Sequence, residues 1–303
     1  MRLTDATSGL KRTALEGVTL EGETLDAHRA FWDRSAEVDS LVAILADGDT
    51  ESFETSGRRE AELLQRFLPP DAHVLDIGCG TGRIMRHVSP LAAEVHGVDI
   101  SREMCEQGEK QLSDLPNVHF HVGNGYDLDG FEDESLDLVY SVVALQHMLR
   151  PIAFNYLRES FRVLKPGGTL WFYVPNLLSD SDFAGFNHLA QPYFVSNPYP
   201  MNFFTPAEVA RLVTMAGFRL ESLTPEMRAE ARKTGQPGLS MEVEAMIGAP
   251  ADRERLVAEV HKVTAERDRL AERNALLTRQ LDTIRSQPVI KLAAAARRKL
   301  RRR

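Results

Sequence analysis

Val74-Leu-Asp-Ile-Gly-Cys-Gly-Thr-Gly-Arg83 is the stretch on which the fold turns. A short apolar run carries an acid, Asp76, and passes directly into three glycines at alternate positions, Gly78, Gly80 and Gly82. Glycine has no Cβ, so a buried strand that ends in such a turn can bring bare backbone against a ligand. In open α/β sheets ligands bind at the carboxyl ends of strands, where this turn falls. A second apolar strand, Glu94-Val-His-Gly-Val-Asp99, again closes on an acid.

Outward from this point the chain alternates. Apolar residues at helical spacing from Leu25 to Leu45 (Phe31, Trp32, Val38, Leu41) predict one or two helices capping the fold. Asp47–Ser52 reads as a turn, and a helix runs from Ser56 through Leu68 until Pro69-Pro70 stops it. Strands are expected at His73–Ile77, Glu94–Asp99, Val118–Val122, Leu136–Val143, Thr169–Val174, Phe218–Leu223 and Met241–Ile247. Helices are expected after Gly82, after Ser101 as N-cap, over Pro151–Leu164, and from Thr205-Pro-Ala-Glu to Ala216. Regular β-α-β alternation argues for a parallel sheet covered on both faces. Residues 175–204 break the rhythm with aromatics and turn formers, and read as a lid over a substrate or a patch covering the sheet edge.

These motifs, in this order, resemble the class I, Rossmann-like S-adenosylmethionine-dependent methyltransferases over roughly residues 56–248. The glycines read GxGxG, not the GxGxxG of dinucleotide folds, where a helix N-terminus faces a pyrophosphate. The resemblance implies a doubly wound, mostly parallel seven-stranded sheet whose last strand inserts antiparallel. It implies S-adenosylmethionine as cofactor, with the loop Asp76, Gly78, Cys79, Gly80 and Gly82 around its methionine part. Asp99 takes the place of the acid that holds both ribose hydroxyls, with Ile100 against the adenine. Asn124 and Gly125 fall in the third motif, where an acid or amide reads the adenine amino group. Arg58, in a segment similar to the family's N-terminal helices, is the candidate partner of the cofactor carboxylate. His147, just past the fourth strand, is the candidate base for a hydroxyl acceptor, since imidazole titrates near neutrality; it reads equally well as packing at the cofactor mouth. His188 is a second candidate. No metal site stands out.

The chain has 303 residues and a net charge of −8. That charge hides an asymmetry: residues 251–303 hold 15 Lys/Arg against 7 Asp/Glu, while residues 1–250 hold 21 against 37. Leu256, Val263, Leu270, Leu277 and Ile284 recur every seven residues, with Val260, Arg267, Asn274 and Leu281 on the second seam, as in a coiled coil. A long helix folded back on the domain is the other reading. Residues 289–303 carry seven basic residues and no acid, a composition suited to an anionic membrane surface or to no partner at all. The expected organisation is therefore a helical lead-in and cap over 1–55, a Rossmann-like domain over 56–249 containing the insertion 175–204, a C-terminal coiled-coil helix over 250–287, and a basic tail over 288–303. The coiled coil predicts a homo-oligomer.

No apolar run approaches the ~20 residues of a membrane span, and the start of the chain lacks a signal-peptide apolar stretch, so a cytoplasmic enzyme, peripheral at the inner membrane face, is expected. An acidic domain argues against nucleic acid. The leading expectation is O-methylation of a sugar in a surface glycan or glycolipid, or of a related small acceptor. The alternatives are methylation of a small metabolite such as a natural product or quinone precursor, and a non-catalytic scaffold assembled by its coiled coil.

Overall fold

The computed structural model describes residues 21–45, 50–189 and 201–247, with Arg269 and Arg273. The heptad segment 250–287 otherwise, the basic tail 288–303 and the His188 side chain lie outside the described residues.

A single eight-stranded sheet organises the domain, in the order β3-β2-β1-β4-β5-β7-β6-β8. The strands are β1 (His73–Ile77), β2 (Glu94–Asp99), β3 (Val118–Val122), β4 (Leu136–Val142), β5 (Leu164–Tyr173), β6 (Arg219–Leu223), β7 (Arg228–Arg232) and β8 (Gly238–Leu239). The helices are α1 (Glu21–Leu45), α2 (Thr50–Leu64), α3 (Met85–Val88), α4 (Arg102–Gln111), α5 (Arg150–Val163), α6 (Asp180–Leu189), α7 (Pro206–Met215) and α8 (Met241–Ile247). Strands β1 to β5 run parallel to one another, while β7 runs antiparallel between β5 and β6. The strand order reverses at β1, so the carboxyl ends of β1 and β4 diverge and leave a crevice.

The sequence explains the layers. In β1, Val74, Leu75 and Ile77 are all buried, as a strand covered on both faces requires. One face packs Leu75, Ile77, Val98 and Val139 against α5 and α7 residues such as Leu157 and Val213. The other packs Val74, Val95, Leu138 and Trp171 against Leu64 of α2 and Met85 and Val88 of α3. Helix α4 starts where Ser101 caps it, the hydroxyl accepting from Met104 N at 3.1 Å. Helix α7 starts with a full capping box: Glu208 N donates to Thr205 Oγ1, and Thr205 N donates to the Glu208 carboxylate.

Four details differ from what the sequence pattern predicts. Met241–Ile247, expected as the last strand, is α8; its apolar residues Val243 and Ile247 are four apart and both buried, a helical spacing. The antiparallel strand is β7, whose Arg-Ala-Glu-Ala-Arg alternation is short and charged; Arg228 and Arg232 project over Tyr173 and Phe67 rather than into solvent alone. Residues 50–52, expected in a turn, open α2. The segment 175–204 contains α6, and its ends are pinned by a bridge between Asn176 and Phe204.

At the β3 edge four histidines gather beside Glu94. His96 Nδ1 lies 3.1 Å from His121 Nε2, His96 Nε2 lies 3.2 Å from Glu94, and the His96 and His119 rings stack at 5.1 Å. Burial, then the neighbouring histidines, hold His96 and His121 below the usual imidazole pKa, with Glu94 opposing at His96. Unfolded, these groups bind protons more readily, so their contribution to stability is present above the unfolded value near 6.5 and is lost as pH falls from there through the lower folded values. Thermal unfolding followed from about pH 7.5 to about pH 5.5 should show a falling Tm, and His96→Gln should flatten that slope relative to the unsubstituted chain.

Candidate functional site

The carboxyl ends of β1, β2 and β4 frame a cleft with about 800 Å³ of empty space, part of it open to solvent. Gly78, Gly80, Asp99, Ile100, Gly125 and His147 all line it, together with His28 and Trp32 from α1 and Val143, Met148 and Tyr156. Asp99 is half-buried at the edge of this cleft. Gly80 N donates to its Oδ2 and Ser101 N to its Oδ1, both at 2.9 Å. Burial raises the Asp99 pKa and these backbone donors lower it again. A carboxylate offers about four acceptor positions, so two donors leave room for two more from the cleft.

Gly78 is needed twice over. Its φ is +73°, and a Cβ there would stand 2.2 Å from the Ala144 Cβ. Only glycine lets the ends of β1 and β4 approach so closely. Opposite, Val143 holds a φ of 64°, an unusual conformation for a β-branched residue and a local strain of about 1–3 kcal/mol.

The remaining sequence candidates fall elsewhere. Gly82 packs against Leu112 and Phe120, and does not line the cleft. Asp76 and Cys79 line a smaller adjoining cavity of about 280 Å³ with Gly78, Gly80 and Arg83. Asn124 spends its side chain locally, accepting from Tyr126 N and Asp127 N and donating to Asp127 Oδ1 at 2.6 Å. Arg58 is exposed on α2 and lines neither cavity. Arg83, the last residue of the opening motif, is the buried guanidinium instead: its Nη1 donates to Ser56 Oγ at 2.9 Å and its charge acts on Asp76. Burial pushes the Asp76 carboxyl up to about 7, against the nearby Tyr140 hydroxyl and the Arg83 charge; Tyr140 Oη itself has no partner at full hydrogen-bond distance.

Sequence reasoning missed the wall that α1 supplies. Trp32 Nε1 donates to His28 Nε2 at 3.0 Å, and the Trp32 and His147 rings meet edge to face at 5.3 Å. Burial holds His28 below the usual imidazole pKa, with a bond to the His147 backbone opposing. Asp33 fixes this helix to the start of α4, accepting from Ser101 Oγ at 2.7 Å and Glu103 N at 3.3 Å. The Phe31-Trp-Asp string is plain in the sequence, but nothing in a helical period says which face turns inward. Among the described residues, no group of three or more His, Cys, Asp or Glu side chains is placed to hold a metal ion.

Residues 74–168 match a family described as a methyltransferase domain. The chain is 30% identical over 171 residues to the demethylmenaquinone methyltransferase of Lysinibacillus sphaericus, covering 55% of this chain and 68% of that one. It is 28% identical over 200 residues to the ubiquinone biosynthesis O-methyltransferase of Xanthomonas axonopodis pv. citri, covering 62% and 82%. The chain belongs to the class I S-adenosylmethionine-dependent methyltransferases. A 37.1 kDa protein of transposon TN4556 from Streptomyces fradiae is 33% identical over 164 residues, and this chain spans 46% of its length. The fold is shared with magnesium protoporphyrin IX methyltransferase from Synechocystis PCC 6803, with a TM-score of 0.52 at 18% identity over 70% of this chain and all of that one.

The family's cofactor, S-adenosylmethionine, fits the donors and acceptors present. The free positions on Asp99 suit a pair of ribose hydroxyls, Ile100 and Met104 offer an apolar face beside them, and Asp76 with Arg83 offers opposite charges to a zwitterionic end. Calorimetry with S-adenosylhomocysteine tests this. Asp99→Ala should weaken binding at least tenfold. Because a cationic ammonium favours the ionised carboxyl, affinity should rise as pH climbs through about 7, the Asp76 value, and Asp76→Asn should remove that rise.

Proposed function

We propose that this methyltransferase methylates a hydroxyl of a small, neutral aromatic acceptor of the quinone-precursor type. The observation that carries this is the wall of the cleft away from Asp99. Among the described residues it is built from Trp32, Val142, Val143, Ala144 and Met148, with His28 and His147 as its polar members, and none of these is a carboxylate or a Lys or Arg. A charged acceptor would lose its hydration there without a partner, whereas a planar apolar ring gains contact with Trp32 and Met148. The demethylmenaquinone and ubiquinone-biosynthesis relatives support the same class. The surface-glycan acceptor has no such support and is not carried forward.

When bound, the cofactor supplies an electrophilic methyl group on a sulfonium. The chain must then align an oxygen and take its proton. Gly78 and Gly80 would set the backbone beside the cofactor, and Asp99 would hold its ribose hydroxyls. His147 is the proposed base. It sits in the turn Leu145–His147 directly after β4, held by the ring of Trp32 on one side and by Gln146, whose amide nitrogen lies 3.4 Å from His147 Nε2. His28, already accepting from Trp32 and bonded to the His147 backbone, positions that turn and takes no proton from the acceptor.

Turnover of a catechol or demethylquinol acceptor with labelled methyl donor tests the reading. His147→Ala should lower kcat by about 10²–10⁴ with S-adenosylhomocysteine affinity retained. Transfer to a free sugar but to no phenolic acceptor would overturn it.

For residues 250–303 we retain the proposal that the heptads pair copies of the chain and that the basic tail meets anionic lipid. Truncation after residue 249 should reduce the sedimenting mass to that of one copy and abolish co-flotation with phosphatidylglycerol vesicles, leaving cofactor affinity unchanged.

A further inference from the structure

We propose that Cys79 and Cys105 form a reversible oxidative modification site, whose disulfide closes the cofactor loop against α4. The chain has two cysteines, and the fold brings them together. Cys79 stands in the glycine loop between Gly78 and Gly80. Cys105 stands near the start of α4, beyond the cap Ser101. Both are free and buried. Cys79 N donates to Val98 O at 3.2 Å and the Cys105 thiol reaches His121 O at 3.6 Å, and Val98 pairs with His121 across β2 and β3, so the two cysteines sit over neighbouring strands at the same level; the Cys79 thiol also reaches Gly80 O at 3.5 Å.

Gly97 makes the meeting possible. It lies in the middle of β2, directly under Cys79. A Cβ there would stand 2.7 Å from the Cys79 sulfur and 2.8 Å from its Cβ. A glycine inside a strand marks such a close approach. With no side chain at 97, Cys79 can lie flat across β2 toward α4.

Cys79 is also reachable. It lines the smaller cavity beside Asp76 and Arg83, next to the cofactor cleft. Burial pushes its thiol pKa well above the ordinary value, which slows reaction in the resting protein. A small neutral oxidant such as hydrogen peroxide suits this cavity. The Cys79 sulfur attacks the peroxide, the O–O bond breaks, and the first water leaves as the sulfur becomes a sulfenic acid. The Cys105 sulfur then attacks it, the S–O bond breaks, and a second water leaves. Two thiols are oxidised to one disulfide and one peroxide is reduced to two waters.

The consequence follows from distance. A disulfide holds its sulfurs about 2.05 Å apart, closer than two thiols in contact. Closing that gap draws Cys79 toward α4 and takes its neighbours along. Gly78 N donates to Val98 O at 2.8 Å and Gly80 N to Asp99 at 2.9 Å, so both loop bonds and the ribose acid are displaced. Under reducing conditions the bond is transient, as expected of a regulatory disulfide in the cytosol.

The loss of cofactor affinity rests on the reading of the cleft given above; the disulfide does not. The full chain is treated with hydrogen peroxide or with dithiothreitol, digested for mass mapping, and titrated with S-adenosylhomocysteine. We expect a Cys79–Cys105 disulfide, an affinity lower by at least tenfold, full recovery with dithiothreitol, and slower disulfide formation when S-adenosylhomocysteine is bound first. Cys105→Ala should bind normally and keep its affinity after peroxide and dithiothreitol. Absence of the disulfide, irreversible sulfinate at Cys79 in its place, or a disulfide with unchanged affinity overturns the proposal. The oxidised and reduced forms of the unsubstituted chain decide the matter even if the variant fails to fold. If the reduced chain binds no S-adenosylhomocysteine, the cofactor reading fails by itself, and the mass map still decides whether the cysteines pair.

Discussion

One carboxylate ties three elements together. Asp99 closes β2 and accepts from the backbone of the glycine loop through Gly80 and from the head of α4 through Ser101. An acid enclosed this way is costly to ionise unless donors surround it. Those donors are backbone groups, so the requirement falls on the path of the chain and not on side chains that could rotate away. The loop, the strand end and the helix start are thereby held in one geometry. Ser101 extends the network: its hydroxyl caps Met104 N and also donates to Asp33 on α1. The first described helix is thus tied to the same residue that braces the acid, and the aromatic wall of the cleft inherits its position from there.

The electrostatic arrangement is graded. At one end Asp76 and Arg83 place opposite charges on either side of the glycine loop, and at the centre stands Asp99. Toward Trp32 and Met148 the described lining residues carry no charged group. A sulfonium cofactor held there would have carboxylates on the Asp76 and Asp99 side, and the methyl transfer it supplies would meet its acceptor beside the uncharged residues.

The glycine-loop side of the cleft is legible in the sequence because its determinants are local. Strand, acid and glycines are adjacent in the chain, and alternating glycine spacing has few structural meanings. Asp99 and Ile100 follow for the same reason. What the sequence hides is what depends on distant partners. Gly82 has the spacing of a ligand-facing glycine, whereas Phe120 and Leu112, distant in the chain, fill the space over it. Asn124 offers a suitable amide, but acceptor and donors two and three residues away claim it first. Arg58 and Arg83 are both near the motif; only packing of α2 against the loop decides which one is buried. The segment Met241–Ile247 is apolar at positions that suit either period, and its burial against β6 as a helix is a tertiary outcome. The histidine group at the β3 edge is invisible in the sequence because its members come from different strands, His73, His96 and the His119–His121 pair, joined by register alone.

The left-handed backbone of Val143 turns the chain from β4 into the segment that bears Ala144, which Gly78 barely clears, and His147. A valine there is thermodynamically out of place, since glycine or asparagine would accept the same angle with less strain. A search for heat-resistant variants of this protein should therefore find changes at this position early. Such a gain would come with a looser joint between the two halves of the cleft, so position 143 marks where durability and reactivity compete for one residue.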